Sequence, residues 1–370
     1  MQDAPGWCVA IKFPHRGPVI FHALAGLATM DDRTFSELDR WREAALALEA
    51  DVRGTVVGQA RPIRLLLIAL FARGHVLLEG DVGVGKTTLL RALSKGIGGG
   101  YQRLEGTIDL LPHDLIYHTY LDENGQPRVD PGPLLRHGED LAVFFFNEVN
   151  RARPQVHSLL LRVMEERTLT AFNREHRFPH LQVFADRNRV EKEETFELPS
   201  AARDRFLMEI SIRPPESAED RRALMFDSRF HDVDRLIEQV PTGRLPYDQL
   251  AALAPRIQDA VSVSDTLQDY GLRLWQATRE PAAAGVALEN VDMDRLMVAG
   301  ASPRGVSLLI RAARVAAWLA GRDYVLPDDV REIFPEVMTH RLFFTPAYER
   351  RRDVLGPQLS EAILQRVPSP

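Results

Sequence analysis

One octapeptide constrains this chain more than any other: Gly80-Asp81-Val82-Gly83-Val84-Gly85-Lys86-Thr87, a match to G-x-x-x-x-G-K-[ST]. The apolar run His75-Val76-Leu77-Leu78 precedes it, and Thr88-Leu89-Leu90-Arg91-Ala92-Leu93, with helical spacing, follows it. A buried strand that enters a glycine-rich turn and then a helix gathers backbone N–H groups around one point. The helix dipole adds positive potential there. Such a turn takes a phosphate. Lys86 would reach the β- and γ-phosphates of a nucleoside triphosphate and Thr87 would offer its hydroxyl to Mg²⁺. Asp81, Val82, Gly83, Val84, Gly85 and Thr88 supply the rest of the cradle. The bland alternative is a glycine turn with a surface lysine, and the flanking strand and helix weigh against it.

The remaining chain repeats the alternation of strand and helix. Leu141-Ala142-Val143-Phe144-Phe145-Phe146 is continuously apolar, as a strand buried on both faces of a parallel sheet must be. It ends in Asn147-Glu148, at the carboxyl end where α/β sheets bind ligands. Leu181 to Ala185 is a similar strand ending in Asp186-Arg187-Asn188, Phe206 to Ile212 is another, and Gln102 to Gly106 is shorter. Helical spacing covers Phe35 to Val52, Arg61 to Ala72 and Pro154 to about Glu166. Asn124-Gly125 and the surroundings of Asn173 read as hairpin turns. Pro214-Pro215 marks a boundary, and from Ser217 the pattern is helical. The expectation is an α/β nucleotide-binding domain with a parallel central sheet (35–214), an all-α lid (215–345) and a C-terminal tail or helix (346–370). Val306 to Ala320 reads as lid core.

Composition narrows the setting. Cys8 is the single cysteine, which excludes a disulfide framework within one chain and suits a reducing, cytoplasmic compartment. No apolar run reaches membrane-spanning length, and no paired histidines beside a glutamate suggest zinc. The net charge of −6 argues against a general binder of nucleic-acid backbones. Val19 to Ala28 makes a poor signal segment interrupted by His22, which argues against secretion. Residues 1–34 read as an extension, disordered or with a mis-assigned start, the natural one being Met30 because Asp31 onwards reads as a capped helix.

Taken in order, several stretches resemble the MoxR branch of the AAA+ ATPases over roughly Phe35 to Pro368. They are Gly80 to Thr87, Asp109 to Leu115, Asp130 to Leu134, Asn147 to Ala152, Met164 to Arg167, Leu198-Pro199, Asp204 to Phe206 and Gly300 to Arg304. The resemblance implies a ring, usually a homo-hexamer, with ATP at the subunit interfaces. It also implies chaperone-like maturation of a metalloenzyme or another protein client, beside a von Willebrand factor A-domain partner. By the same resemblance Glu148 is the Walker B glutamate that polarises the attacking water, and Asn188 is the sensor-1 residue. Arg205 is the arginine finger, with Arg203 the alternative two residues away. Arg304 is the sensor-2 cation placed on the γ-phosphate, and Val57 with Gly58 packs on adenine. The two hairpins correspond to inserts that line a pore or meet the client.

Two departures from the family stand out. Asn147 occupies the position of the Walker B aspartate that helps hold Mg²⁺, so the metal site formed with Thr87 should be weakened. Around Asn188, Asp186-Arg187 is more charged than usual and Arg189 replaces a proline. The leading expectation is an ATPase of reduced rate, with Asn147→Asp raising turnover. The competing class is a hydrolysis-poor, nucleotide-gated scaffold or a subunit of a mixed ring. Nucleic-acid remodelling lacks a winged helix or basic tail, and small-molecule kinase activity lacks an acceptor pocket.

Overall fold

The computed structural model describes residues 28–188 and 196–370, with side chains from residue 37. The expectations for the extension up to residue 27 and for Arg189 lie outside the described residues. The chain divides into two compact units, Met1–Arg40 and Trp41–Pro370. Of the first, the described part is the beginning of helix α1 (Ala28–Thr55); all that follows concerns the second.

In chain order the strands are β1 (His75–Glu79), β2 (Gly100–Glu105), β3 (Tyr117–Leu121), β4 (Pro127–Pro131) and β5 (Leu141–Asn147). They continue with β6 (Thr168–Ala171), β7 (Arg174–Arg177), β8 (Gln182–Arg187), β9 (Phe206–Ser211), β10 (Met297–Ala299) and β11 (Phe343–Phe344). A five-stranded sheet runs in the order β2-β5-β8-β1-β9, every neighbouring pair parallel. Sequence explains why β5 and β1 lie inside it. All seven residues of β5 and all five of β1 are buried, and Phe144, Phe145 and Phe146 expose nothing. Burying each phenylalanine contributes roughly 1.5–3 kcal/mol.

Helices α2 (Ala60–Phe71), α3 (Lys86–Ile97) and α4 (Pro154–Glu166) belong to the sheet layer. After the single-turn helix α5 (Ser200–Arg203) and β9, the chain becomes mostly helical: α6 (Ala218–Phe226), α7 (Val233–Glu238), α8 (Leu250–Ala260) and α9 (Asp265–Arg279). It closes with α10 (Pro303–Leu319), α11 (Pro327–Met338), the single turn α12 (Pro346–Glu349) and α13 (Arg352–Arg366). Leu309, Ala312 and Ala313 of α10 are fully buried, and α10 packs on α11, α8, α9 and α2. Leu355, Leu359 and Ile363 recur at four-residue steps on α13 and are buried where it meets α9 and α11. The antiparallel pair β10–β11 adds a strand element to a region that reads as all-helical from sequence.

Both expected hairpins are present, β3–β4 and β6–β7. In the first, the Asp122 carboxylate accepts from the Asn124 and Gln126 N–H groups, both at 2.9 Å. In the second, Phe172 and Asn173 both take positive φ (53° and 56°), the left-handed pair that matches the twist of a tight hairpin. The Tyr117 and Phe172 rings, 5.4 Å apart, join the two hairpins.

Candidate active site

The loop after β1 leaves the sheet at Gly80, where a Cβ would lie 2.4 Å from the Ile212 carbonyl oxygen, so only glycine fits. Gly83 and Gly85 take φ of 81° and 91°, and Gly85 caps the start of α3. Lys86 Nζ donates to the carbonyls of Gly80 (2.6 Å) and Asp81 (3.1 Å) and lies 3.4 Å from Asp186 Oδ2.

Asp81 through Thr88 line a cavity of about 400 Å³ together with Arg103, Glu105, Asn147, Glu148, Asp186 and Asn188. The structure thus brings together the loop, Asn147, Glu148 and Asn188 from three separate stretches of sequence. A second cavity of about 410 Å³ shares Val82 to Gly85 and Thr88 with it. Its remaining wall is largely apolar, with Val56, Val57, Pro214, Pro215, Leu224, Met225 and Phe230. A polar cavity joined to an apolar one across a glycine loop has the form of a nucleotide site, phosphates in the first and base in the second. Gly58, with φ 73°, contributes shape: a Cβ there would meet Pro215 Cβ at 2.6 Å.

Glu148 follows β5 with φ 53° and ψ 49°, a left-handed conformation costing a non-glycine residue about 1–3 kcal/mol. Its N–H donates to Asp186 Oδ1 at 2.5 Å and its carboxylate pairs with Arg151 at 3.0 Å. Gly106 accommodates this bend, since a Cβ there would lie 2.1 Å from the Glu148 carbonyl oxygen. Beside it, Asn147 Nδ2 donates to Glu105 Oε1 at 2.5 Å, and Arg103 holds the other Glu105 oxygen at 2.7 Å. Burial pushes the Asp186 carboxyl up, opposed by the Glu148 N–H and Lys86. Sequence reading missed Asp186 and Glu105 as cavity residues; the available signal was a carboxylate at or next to the end of a strand, Glu105 last on β2 and Asp186 penultimate on β8. Arg187 faces away from this chemistry, bridging Glu79 (2.9 Å) and Glu209 (2.7 Å).

Arg205 and Arg304 lie elsewhere. Neither lines the cavity; both bind Glu165 near the end of α4. Arg205 Nε and Nη2 donate to Oε2 at 2.9 and 2.7 Å, and Arg304 Nη2 donates to Oε1 at 2.9 Å. The Arg205 and Arg304 guanidiniums hold the Glu165 carboxyl below its usual range. Arg203 is buried, its guanidinium 5.4 Å from the Phe343 ring centroid.

The two arginine loops are tied together at Asp204. Ser302 Oγ donates to the Asp204 carboxylate at 3.0 Å, and fully buried Arg341 reaches Asp204 Oδ1 (3.0 Å), Asp204 O (3.0 Å) and Phe206 O (2.6 Å). Burial lowers the Arg341 pKa to about 10, against the pull of Asp204, so it stays charged near neutrality. Arg341→Met leaves that carboxylate without its cation, and we expect a loss of about 3–5 kcal/mol in urea unfolding.

Fold and site together define an ATPase of the AAA type. Residues 75–208 match the profile of the "ATPase family associated with various cellular activities (AAA)", and residues 294–364 match the AAA lid domain. Protein MoxR of Methylorubrum extorquens is 61% identical over 333 residues, spanning 90% of this chain and 97% of the relative. Chaperone MoxR1 of Mycobacterium tuberculosis is 34% identical over 328 residues, 86% and 81% of the two chains. A solved structure from Cytophaga hutchinsonii, provisionally described as an ATPase, superposes with a TM-score of 0.77 at 30% identity, covering 92% of this chain and 98% of its own. This chain belongs to the MoxR family of AAA+ ATPases. Among the described residues no helix is long and apolar enough to cross a membrane.

Proposed function

We propose that this chain hydrolyses ATP with Mg²⁺ in a cytoplasmic homo-hexameric ring and uses the cycle for chaperone-like assembly or activation of a protein client. A von Willebrand factor A-domain protein is the proposed partner, and a metalloenzyme is one form of client. The observation that carries the ATPase chemistry is the meeting of Lys86, Glu148 and Asn188 in one polar cavity joined to an apolar slot. Lys86 exchanges the loop carbonyls for phosphate oxygens, Glu148 takes the proton side of the attacking water, and Asn188 orients that water or the γ-phosphate. Val57 and Gly58 shape the adenine slot.

The cavity residues suit Mg²⁺. The Thr87 hydroxyl, the Asn147 carbonyl oxygen left after its amide binds Glu105, and the Asp186 carboxylate are hard oxygen donors. When bound, the ion would neutralise phosphate charge; Thr87 would hold it directly. Arg205 and Arg304 are together offered to the nucleotide of the neighbouring subunit, because one chain keeps both outside its own cavity. Arg205 is the finger, since Arg203 is buried. The segmentation 35–214, 215–345 and 346–370 is part of this proposal. So is a client-facing role for the hairpins, where Tyr120, Leu121 and Phe172 are exposed. The name of the mycobacterial chaperone supports a chaperone-like role.

Asn147 favours a second reading, a nucleotide-gated scaffold with little hydrolysis. Steady-state ATP turnover with Mg²⁺ separates the two. Turnover that Lys86→Ala removes supports the motor; tight ATP binding without turnover supports the scaffold.

A further inference from the structure

Three polar side chains follow one another across the sheet beside the phosphate cavity: Glu105 on β2, Asn147 on β5 and Asp186 on β8. Glu105 and Asn147 are registered partners. Phe146 is registered with Ala185, so one step further along these parallel strands sets Asn147 beside Asp186. Adjacent strands are about 4.8 Å apart, which makes the three a contiguous row. The middle member is an amide, and it donates to Glu105 at 2.5 Å. An aspartate there would set oxygen against oxygen with Glu105 and stand next to a second carboxylate. Three like-charged carboxylates in such a row would repel one another, whereas the amide in the middle donates to its neighbour.

We propose that Asp186 is the residue that positions the Mg²⁺ of bound ATP in this chain, and that Asn147 is the neutral spacer between two carboxylates. The inference rests on the ATPase reading above and deepens it: the charge absent from residue 147 is supplied one strand over. Asp186 is 1% exposed yet lines the cavity. Its Oδ1 is fixed by the Glu148 N–H, so the residue that would hold the ion and the one that would polarise the attacking water share a hydrogen bond. Its Oδ2 faces Lys86 at 3.4 Å. A triphosphate draws that ammonium to its own oxygens, leaving Asp186 a buried carboxylate beside the phosphates. A hydrated divalent cation is the partner such a group accepts. Asn147→Asp therefore does not restore the site; it crowds it.

The test uses full-length protein and AMP-PNP. Two quantities are measured: AMP-PNP affinity in Mg²⁺ and in EDTA, and Mn²⁺ affinity of the AMP-PNP complex by electron paramagnetic resonance. Asp186→Asn is expected to weaken Mn²⁺ about 10–100-fold with EDTA binding unchanged. Asn147→Asp alone should not tighten Mn²⁺, whereas the double variant Asn147→Asp/Asp186→Asn should recover most of the loss. Unchanged Mn²⁺ affinity in Asp186→Asn, or a gain in Asn147→Asp alone, overturns the proposal. Asp186→Ser, which retains an acceptor for the Glu148 N–H, takes the place of Asp186→Asn if that variant does not fold. In the unmodified protein, AMP-PNP affinity that is indifferent to Mg²⁺ overturns it as well. Failure of the ATPase reading itself looks different: AMP-PNP would not bind even in EDTA, and Lys86→Ala would change nothing.

Discussion

Glu148→Gln should cut ATP turnover by about 10²–10⁴-fold and leave nucleotide affinity unchanged. The substitution keeps the side chain's length and removes only the basic oxygen. The position of the residue is held by backbone contacts that glutamine also makes. Its N–H is bound by Asp186 Oδ1, and its left-handed φ of 53° is accommodated by Gly106, which allows the Glu148 carbonyl to pass. The carboxylate now pairs with Arg151 at 3.0 Å, a contact that a glutamine amide oxygen can also accept. Steady-state turnover against equilibrium binding of a fluorescent ATP analogue is the measurement. A variant with lost binding would place Glu148 in the fold of the loop rather than in the chemistry. A variant with full turnover would assign the water to another group.

The distribution of what sequence reveals follows from distance along the chain. His75 to Leu93 carries its strand, loop and helix signals within twenty consecutive residues, and its cavity lining is legible residue by residue. The strand at Phe144 to Phe146 is legible because continuous apolarity has one use in a parallel sheet. Asp186 was opaque as a site residue, since its meaning depends on register with Asn147 and on Lys86, one hundred residues upstream. The same holds for Glu105, forty-two positions from Asn147 yet bonded to it. An aspartate at 147 looks like a repair only until Glu105 is seen beside it. The pair β10–β11 was invisible for a related reason: each strand is two or three residues long, and its partner lies beyond two helices. Arg304 is the sharpest case. The family resemblance implies a cation on the γ-phosphate, and the register of α10 sets Arg304 on Glu165, 139 residues away in sequence and beside Arg205, a neighbour that the sequence does not announce.

That placement leads to the other large effect. Arg205→Ala should lower turnover about 10³–10⁵-fold, the range of arginine fingers supplied from outside the nucleotide-binding subunit. Its side chain is 27% exposed and that of Arg304 45%, both on one carboxylate, so the two present a single cationic face. In the proposed ring, mixing variant subunits reveals which nucleotide that face serves. Arg205→Ala subunits mixed with Lys86→Ala subunits should regain turnover, because an intact loop of the first meets an intact arginine of the second. Arg304→Ala mixed with Lys86→Ala should regain it for the same reason. The decisive mixture is Arg205→Ala with Arg304→Ala. If both arginines act across the interface, every donated face lacks one of them and the mixture stays inactive. If Arg304 instead serves its own nucleotide, an Arg205→Ala subunit keeps its own Arg304 and borrows Arg205 from its neighbour, and turnover returns. Recovery in that mixture would break the pair apart; its absence, with recovery in the other two, would assign both arginines to the neighbouring subunit's ATP.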